Sequence, residues 1–223
     1  DLAPVSLVGV APLVLTAPAS AAGGDARAFF DAARAAGDKW SYGSPGVGTV
    51  GHIGMELLKS RAGIAPVHVP YPGYPQVFNA MVGGDLQLSM LPPALANTQI
   101  RAGKLRGIGV ASPARLKTMA DIPTLAEQGL SGFEAYAWQG LVVPTGTPPE
   151  TVAQLHRALQ QTLHTTMLKA RFQTLAPDAL PAQDDRARRD DRPPAGDRGV
   201  DLEQHGFGEH RRGVQRGVLR GRL

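Results

Sequence analysis

Six consecutive residues, Ser44-Pro-Gly-Val-Gly-Thr49, carry the best-defined chemistry in this chain. Glycines let successive backbone N–H groups turn toward one point, and a helix starting directly behind them adds a partial positive charge. Together they form a seat for a carboxylate or phosphate that needs no cationic side chain. Ser44, Gly46, Val47, Gly48 and Thr49 are therefore candidate ligand contacts. No Lys follows the last glycine, so the run is not a P-loop, and the glycines are not in dinucleotide-fingerprint order. On spacing alone a plain tight turn fits as well as an anion site. His52 falls in the first turn of the following helix and can face the same ligand; a capping or surface histidine is the competing reading. Tyr71, within Pro70-Tyr-Pro-Gly73, either stacks on or hydrogen-bonds a ligand, or packs a turn.

Other chemistry is thin. No Ser sits in a G-x-S-x-G elbow and no H-E-x-x-H is present. The histidines at 52, 68, 156, 164, 205 and 210 have no metal-ligand spacing with acids, and Cys is absent, which removes disulfides and thiolate chemistry. The sequence therefore leads us to expect no catalytic residue, no metal and no cofactor. An α/β enzyme holding a phosphorylated small molecule in the glycine loop is the alternative reading.

The elements that must position the loop follow from periodicity. Residues 7–16 are rich in Val and Leu and predict a buried strand. A signal peptide is the weaker reading of that stretch and the Ala-rich residues after it, since no Lys or Arg precedes Arg27. Residues 25–37 predict a helix stopped by Gly37, and 40–42 a short strand leading into the glycine loop. A helix over 50–61 with Ile53 and Leu57 four apart, an extended 66–69 and a helix over 76–82 come next. Leu86, Leu88 and Met90 alternate with Gln87 and Ser89 as a strand does. A helix over 93–102 and a strand over 105–111 complete an alternation that predicts a parallel or mixed sheet covered by helices on both faces. Thr124-Leu-Ala-Glu127 and Thr147-Pro-Pro-Glu150 read as capping boxes of two further helices, the second striped by Val152, Leu155, Leu159, Leu163 and Met167. A strand over 135–143 lies between them, with Trp138 expected in the core.

The 223 residues are 43% hydrophobic, enough for a sizeable core, and contain no apolar run of 18 that would span a membrane. Residues 1–176 hold 13 Lys+Arg and 10 Asp+Glu; residues 177–223 hold 10 Arg, no Lys and 9 acids. The later segment offers only eight Val, Leu or Phe, too few to offset ordering entropy. Its acids nearly cancel its arginines and no aromatic platform accompanies them, so nucleic acid is not an expected partner.

Several motifs in series then carry a resemblance: His68-Val-Pro-Tyr-Pro-Gly73, Gly83-Gly-Asp85, Arg101-Ala-Gly-Lys-Leu-Arg106 and Asp121-Ile-Pro-Thr-Leu-Ala-Glu-Gln-Gly129. With Ser44–Thr49 as the glycine loop and Gly132-Phe-Glu…Trp138-Gln-Gly-Leu as a crossover strand, residues 1–176 resemble the Bug-type (TctC) periplasmic substrate-binding proteins of tripartite tricarboxylate transporters. The resemblance implies an α/β fold of the periplasmic-binding-protein type II kind, two lobes around a cleft, here with one lobe incomplete. It implies a monomer that captures a small carboxylate (dicarboxylate, amino acid or aromatic acid), docks on membrane transporter subunits and performs no reaction. Residues 1–13 then stand as a remnant of the first domain with its hinge, 14–111 as the ligand-binding lobe and 112–176 as the return crossover, with 177–223 an aberrant or disordered tail. Met90 and Leu91 are expected beside the loop, Leu91 where many members carry a polar residue, which implies a ligand less polar than citrate. The family's N-terminal stretch, with its signal peptide and a second ligand loop, has no counterpart in this sequence. The ending after Ala176 reads as a frameshifted version of the family's helical one.

Overall fold

Leu13 is where the chain passes from one sheet to another. The protein is described here by a computed structural model covering residues 1–21, 25–175 and 180–181. Instead of one strand over 7–16 there are two, β1 (Leu2–Pro12) and β2 (Val14–Pro18), which belong to different sheets. The backbone of Leu13 is held at the crossing: its N–H donates to the Ala135 carbonyl (2.8 Å), and its own carbonyl accepts from Ala111 N–H (2.9 Å). Pro12 ahead of Leu13 cannot donate to a ladder, which favours a break there.

The larger sheet contains β2, β3 (Ser41–Ser44), β4 (Val67–Pro70), β5 (Leu88–Leu91) and β6 (Leu105–Val110) in the order β4-β3-β5-β2-β6. It is mixed: β3 runs parallel to β4 and β5, while β2 is antiparallel to β5 and β6. Helices α1 (Ala26–Ala36) and α2 (Val50–Ala62) cover one face, and α3 (Tyr74–Gly83) and α4 (Pro93–Arg101) the other. Strand alternation separates two cores. Leu13, Leu15, Leu88 and Met90 pack with Phe29, Met55 and Leu58, whereas Val14, Leu91 and Val110 pack with Val77, Met81 and Ala96. Because β5 is covered on both sides, all four of its residues are buried, Ser89 included. Ser89 Oγ donates to the Gly43 carbonyl (2.9 Å) and Thr16 Oγ1 to the Ser89 carbonyl (3.0 Å), so these interior hydroxyls are satisfied.

Helix α2 buries Leu58 and packs Leu57 against the core but leaves Ile53 outside. Ile53 is 59% exposed; the buried side is Gly51, Gly54, Met55, Leu58 and Ala62. A Cβ on Gly54 would lie 2.8 Å from Met90 Sδ, so close approach to β5, rather than aliphatic bulk, sets the helix's orientation. Similarly, Val82 at the end of α3 is exposed and Val77, Ala80 and Met81 are buried.

The smaller sheet has the order β7-β1-β8, with β7 (Tyr136–Pro144) antiparallel to β1 over its whole length and β8 covering Leu180–Pro181. Helix α5 (Pro149–Leu163) packs on β1, where His156 Nδ1 lies 3.1 Å from the Val5 carbonyl and Gln160 Nε2 donates to Ser6 Oγ (3.1 Å). No residue of α5 is fully buried, and the stripe divides: Val152, Leu159 and Leu163 are half-buried, Leu155 is exposed, and Met167 belongs to the separate helix α6 (Thr166–Leu175). Trp138 is 61% exposed on β7 rather than in the core, β7 being an outermost strand of its sheet among the described residues.

The two capping boxes fare differently. Thr124 and Glu127 exchange both reciprocal bonds (Thr124 N–H to Glu127 Oε2, 2.6 Å; Glu127 N–H to Thr124 Oγ1, 3.0 Å), yet they close a turn and not a helix. Gly129 at φ 100° ends the segment after one turn, and Leu125 is anchored under β6 by its N–H to the Val110 carbonyl (2.8 Å). The Arg115 guanidinium hydrogen-bonded to Glu127, followed by the Thr124 amide, holds that carboxyl below the usual carboxylate range. At the second box Thr147 Oγ1 donates instead to the Pro144 carbonyl (2.8 Å), and Pro148 is the residue flanking α5. Residues 177–179 and 182–223, nearly all of the tail, lie outside the described residues.

Candidate functional site

Strand β3, between β4 and β5, ends at the buried Ser44, and the loop over residues 45–49 carries the chain into α2. Gly46 (φ 126°) and Gly48 (φ 81°) both occupy backbone regions that disfavour an L side chain. A Cβ on either would meet nothing within 4 Å, so glycine is required here for conformation and not for space. Thr49 caps α2: its Oγ1 accepts from His52 N–H (3.4 Å) and donates to the Gly46 carbonyl (2.7 Å). Gly63 (φ 64°) closes the other end of this thirteen-residue helix.

Part of the loop's hydrogen-bonding capacity is spent internally. Gly46 N–H donates to Ser44 Oγ (3.3 Å), Gly48 N–H to His52 Nδ1 (3.3 Å) and Thr49 N–H to the Gly46 carbonyl (3.4 Å). The amides of Val47, Val50 and Gly51 make no hydrogen bond with the described residues. Val47 stands 77% exposed at the tip. Tyr71 follows β4, partly buried against the α3 side of the core, and its N–H donates to the Ser44 carbonyl (2.9 Å), which brings it beside the loop.

Met90 and Leu91 do not line this wall with their side chains. Both are fully buried, one in each core, as the middle position of β5 requires. The inference from Leu91 to a less polar ligand therefore loses its basis.

Several neighbours of the loop escaped the sequence reading as site residues. The parallel register sets Tyr42 opposite His68, and their rings stack with centroids 4.8 Å apart. His68 Nε2 lies 2.7 Å from Ser44 Oγ, and the His52 ring is 4.3 Å from the His68 ring. Tyr42 OH donates to Glu56 Oε1 (2.5 Å), which also accepts from Lys59 Nζ (2.9 Å). Burial, then Glu56, pushes the Tyr42 hydroxyl far above the tyrosine range. Burial alone would raise Glu56, but hydrogen bonds from Tyr42 and Lys59 outweigh it and leave the carboxyl lowered. The i, i+4 and i+7 spacing of His52, Glu56 and Lys59 on α2 was the available signal; the partnership with Tyr42 and His68 depends on strand pairing and was not legible.

Tyr74 was also missed. Its hydroxyl lies where a Cβ on Gly51 would be 2.9 Å away, is buried, and has no hydrogen-bond partner among the described residues. Burial pushes it up to about 12, so it is a neutral donor. Among the described residues no group of three His, Cys, Asp or Glu comes together to hold a metal ion, and no helix is long and apolar enough to cross a membrane.

Comparison with known proteins places this geometry. The family model for the tripartite tricarboxylate transporter family receptor, TctC, matches residues 1–181. A curated relative from Pseudomonas sp. (strain P51), the UPF0065 protein in the tcbD-tcbE intergenic region, is 34% identical over 164 residues, 73% of this chain and 49% of the relative. MatC of Rhodopseudomonas palustris, solved with bound malate, superposes with a TM-score of 0.74 at 29% identity, covering 81% of this chain and 61% of MatC. An R. palustris protein solved with adipate gives 0.73 at 25% identity, covering 82% and 61%. The chain thus spans about half the length of that curated relative and about 60% of those solved chains. The fold is the α/β fold of the periplasmic binding proteins, and the chain belongs to the tripartite tricarboxylate transporter receptor (TctC) family.

Proposed function

We propose that this chain supplies the ligand-gripping wall of a periplasmic solute receptor that captures a small carboxylate for a tripartite tricarboxylate-type transporter and carries out no reaction on it. The observation that carries this reading is the set of unpartnered amides at Val47, Val50 and Gly51, at and before the N-terminus of α2. Such amides and the helix dipole favour one negative oxygen pair, and the lysine on the same helix, Lys59, is paired with Glu56. In this reading Ser44, Gly46, Val47, Gly48, Thr49, His52 and Tyr71 form or support the wall, and the Tyr74 hydroxyl stands behind Gly51 as a further neutral donor. That two structural neighbours hold malate and adipate supports a dicarboxylate. Residues 14–111 form the gripping lobe, and 112–176 return to the lobe begun by 1–13. The crossings at Leu13 and Ala135 are where a ligand-driven closure would bend the chain. Membrane subunits of the transporter are the partners, met by a monomer.

A thermal-shift panel tests this. Pockets that hold small ligands well bury most of their surface, and this chain spans only part of its relatives. Binding in the millimolar range is therefore expected, with malate and adipate at about tenfold excess over Kd raising Tm by a few degrees. Sugar phosphates and nucleotides are expected to leave Tm unchanged. A shift by phosphates and none by carboxylates contradicts the proposal.

A further inference from the structure

His52 and His68 share one small space, and both reach back to the glycine loop. Their rings are 4.3 Å apart and tilted by 43°, with Tyr42 stacked on His68 at 4.8 Å and 6.4 Å from His52. Only one of the two contacts with the loop fixes a protonation state. The Ser44 hydroxyl can donate to His68 Nε2 or accept from it at 2.7 Å. A backbone N–H can only donate, so His52 Nδ1, 3.3 Å from Gly48 N, must carry a lone pair and the ring must be neutral.

The surroundings oppose a second positive charge. Glu56 is the acid facing the pair, and it is already engaged by Tyr42 OH and Lys59 Nζ. Lys59 lies 5.6 Å from the centre of the Tyr42 ring, and the N-terminal end of α2 adds its own partial positive charge. Burial holds His68 below the ordinary imidazole range, a positive charge on His52 would lower it further, and Glu56 pulls the other way.

We propose that His52 is a positioning residue for the glycine loop, acting as a proton-controlled latch: neutral, it accepts the Gly48 N–H and holds the turn in its gripping shape. A proton taken up at Nδ1 removes the acceptor and sets two N–H groups against each other. The turn is then released and its grip on a carboxylate weakens. Histidine is the side chain whose unperturbed charge change falls between pH 5 and 8, which sets the range over which the latch is tested. Only the ligand half of this inference rests on the carboxylate reading.

The test separates the two halves. In the full chain without ligand, the Gly48 amide shift is followed by NMR from pH 8 to 5, beside the ring protons of both histidines. Malate affinity is measured at pH 8 and pH 6. The latch predicts that Gly48 titrates with the midpoint of the His52 ring and that malate binds several-fold more weakly at pH 6. In His52→Asn, where the amide oxygen stands in for Nδ1 without titrating, the Gly48 titration disappears and the affinity ratio between the two pH values falls toward one. In His68→Gln the Gly48 titration persists. A flat Gly48 shift in the native chain, or loss of its titration in His68→Gln, overturns the latch whatever malate does. Tighter malate binding at pH 6 overturns it as well. A titrating Gly48 with no malate binding at either pH supports the latch and removes the carboxylate reading.

Discussion

Gly46→Ala is expected to weaken malate binding at least tenfold while leaving most of the fold in place. At φ 126° an L side chain is strained by roughly 1–3 kcal/mol, and nothing within 4 Å of the new Cβ compensates. The loop relieves that strain by rotating its peptide planes, which changes the direction of the free amides, and 1.4 kcal/mol of lost interaction is already tenfold in affinity. Gly48, at φ 81°, provides the internal comparison. Gly48→Asn, which tolerates left-handed backbone, is expected to bind better than Gly48→Val, which does not. Calorimetric titration with malate, with circular dichroism as the check on folding, reads the series. Undiminished binding by Gly46→Ala would show that the turn's shape is irrelevant to the site.

Met90→Ala is expected to act on stability and not on ligand choice. The side chain is fully buried between β5 and α2, against Gly54 and beside Leu13. Truncating a buried Met leaves a cavity that α2, held at close approach by glycine, cannot easily collapse, at a cost of roughly 2–5 kcal/mol. For a domain of this size that lowers Tm by roughly 4–20 °C. The relative affinities for malate and adipate should be unaltered once measurements are made well below the new Tm. A changed preference with an unchanged Tm would place Met90 on the ligand wall after all.

These two positions also show what could be read from the residues. The loop was legible because its signals are local: two glycines needing positive φ, a threonine that caps, and an apolar helix behind them. Helices α1, α3 and α4 and strands β3 to β6 were legible for the same reason, each bounded by glycine or proline. The facing of α2 was not: Leu57 packs against the core while Ile53 is exposed, because the close approach of β5 at Gly54 sets the helix's orientation. The burial of the Met90 and Leu91 side chains was hidden for a similar reason. Alternation located β5, but only sheet order reveals that it is central and covered on both faces. Trp138 was the reverse error, an aromatic placed inside by type that in fact lies on an outermost strand. The Thr124–Glu127 box made both of its bonds, yet no helix followed, because a capping signal says where a helix can start and not whether enough chain remains before Gly129. His68 belonged to a quoted motif, but its contact with Ser44 depends on the β3–β4 register, which no local pattern encodes.

In the proposed function the unpartnered amides around the start of α2 are the seat of a carboxylate. Titrating uniformly 15N-labelled protein with malate, and following every backbone amide, tests it most directly. The largest shifts are expected on Val47, Val50 and Gly51, with smaller ones on Gly48 and Thr49, all saturating with one dissociation constant. Shifts that cluster elsewhere in the chain while these amides stay fixed would contradict it.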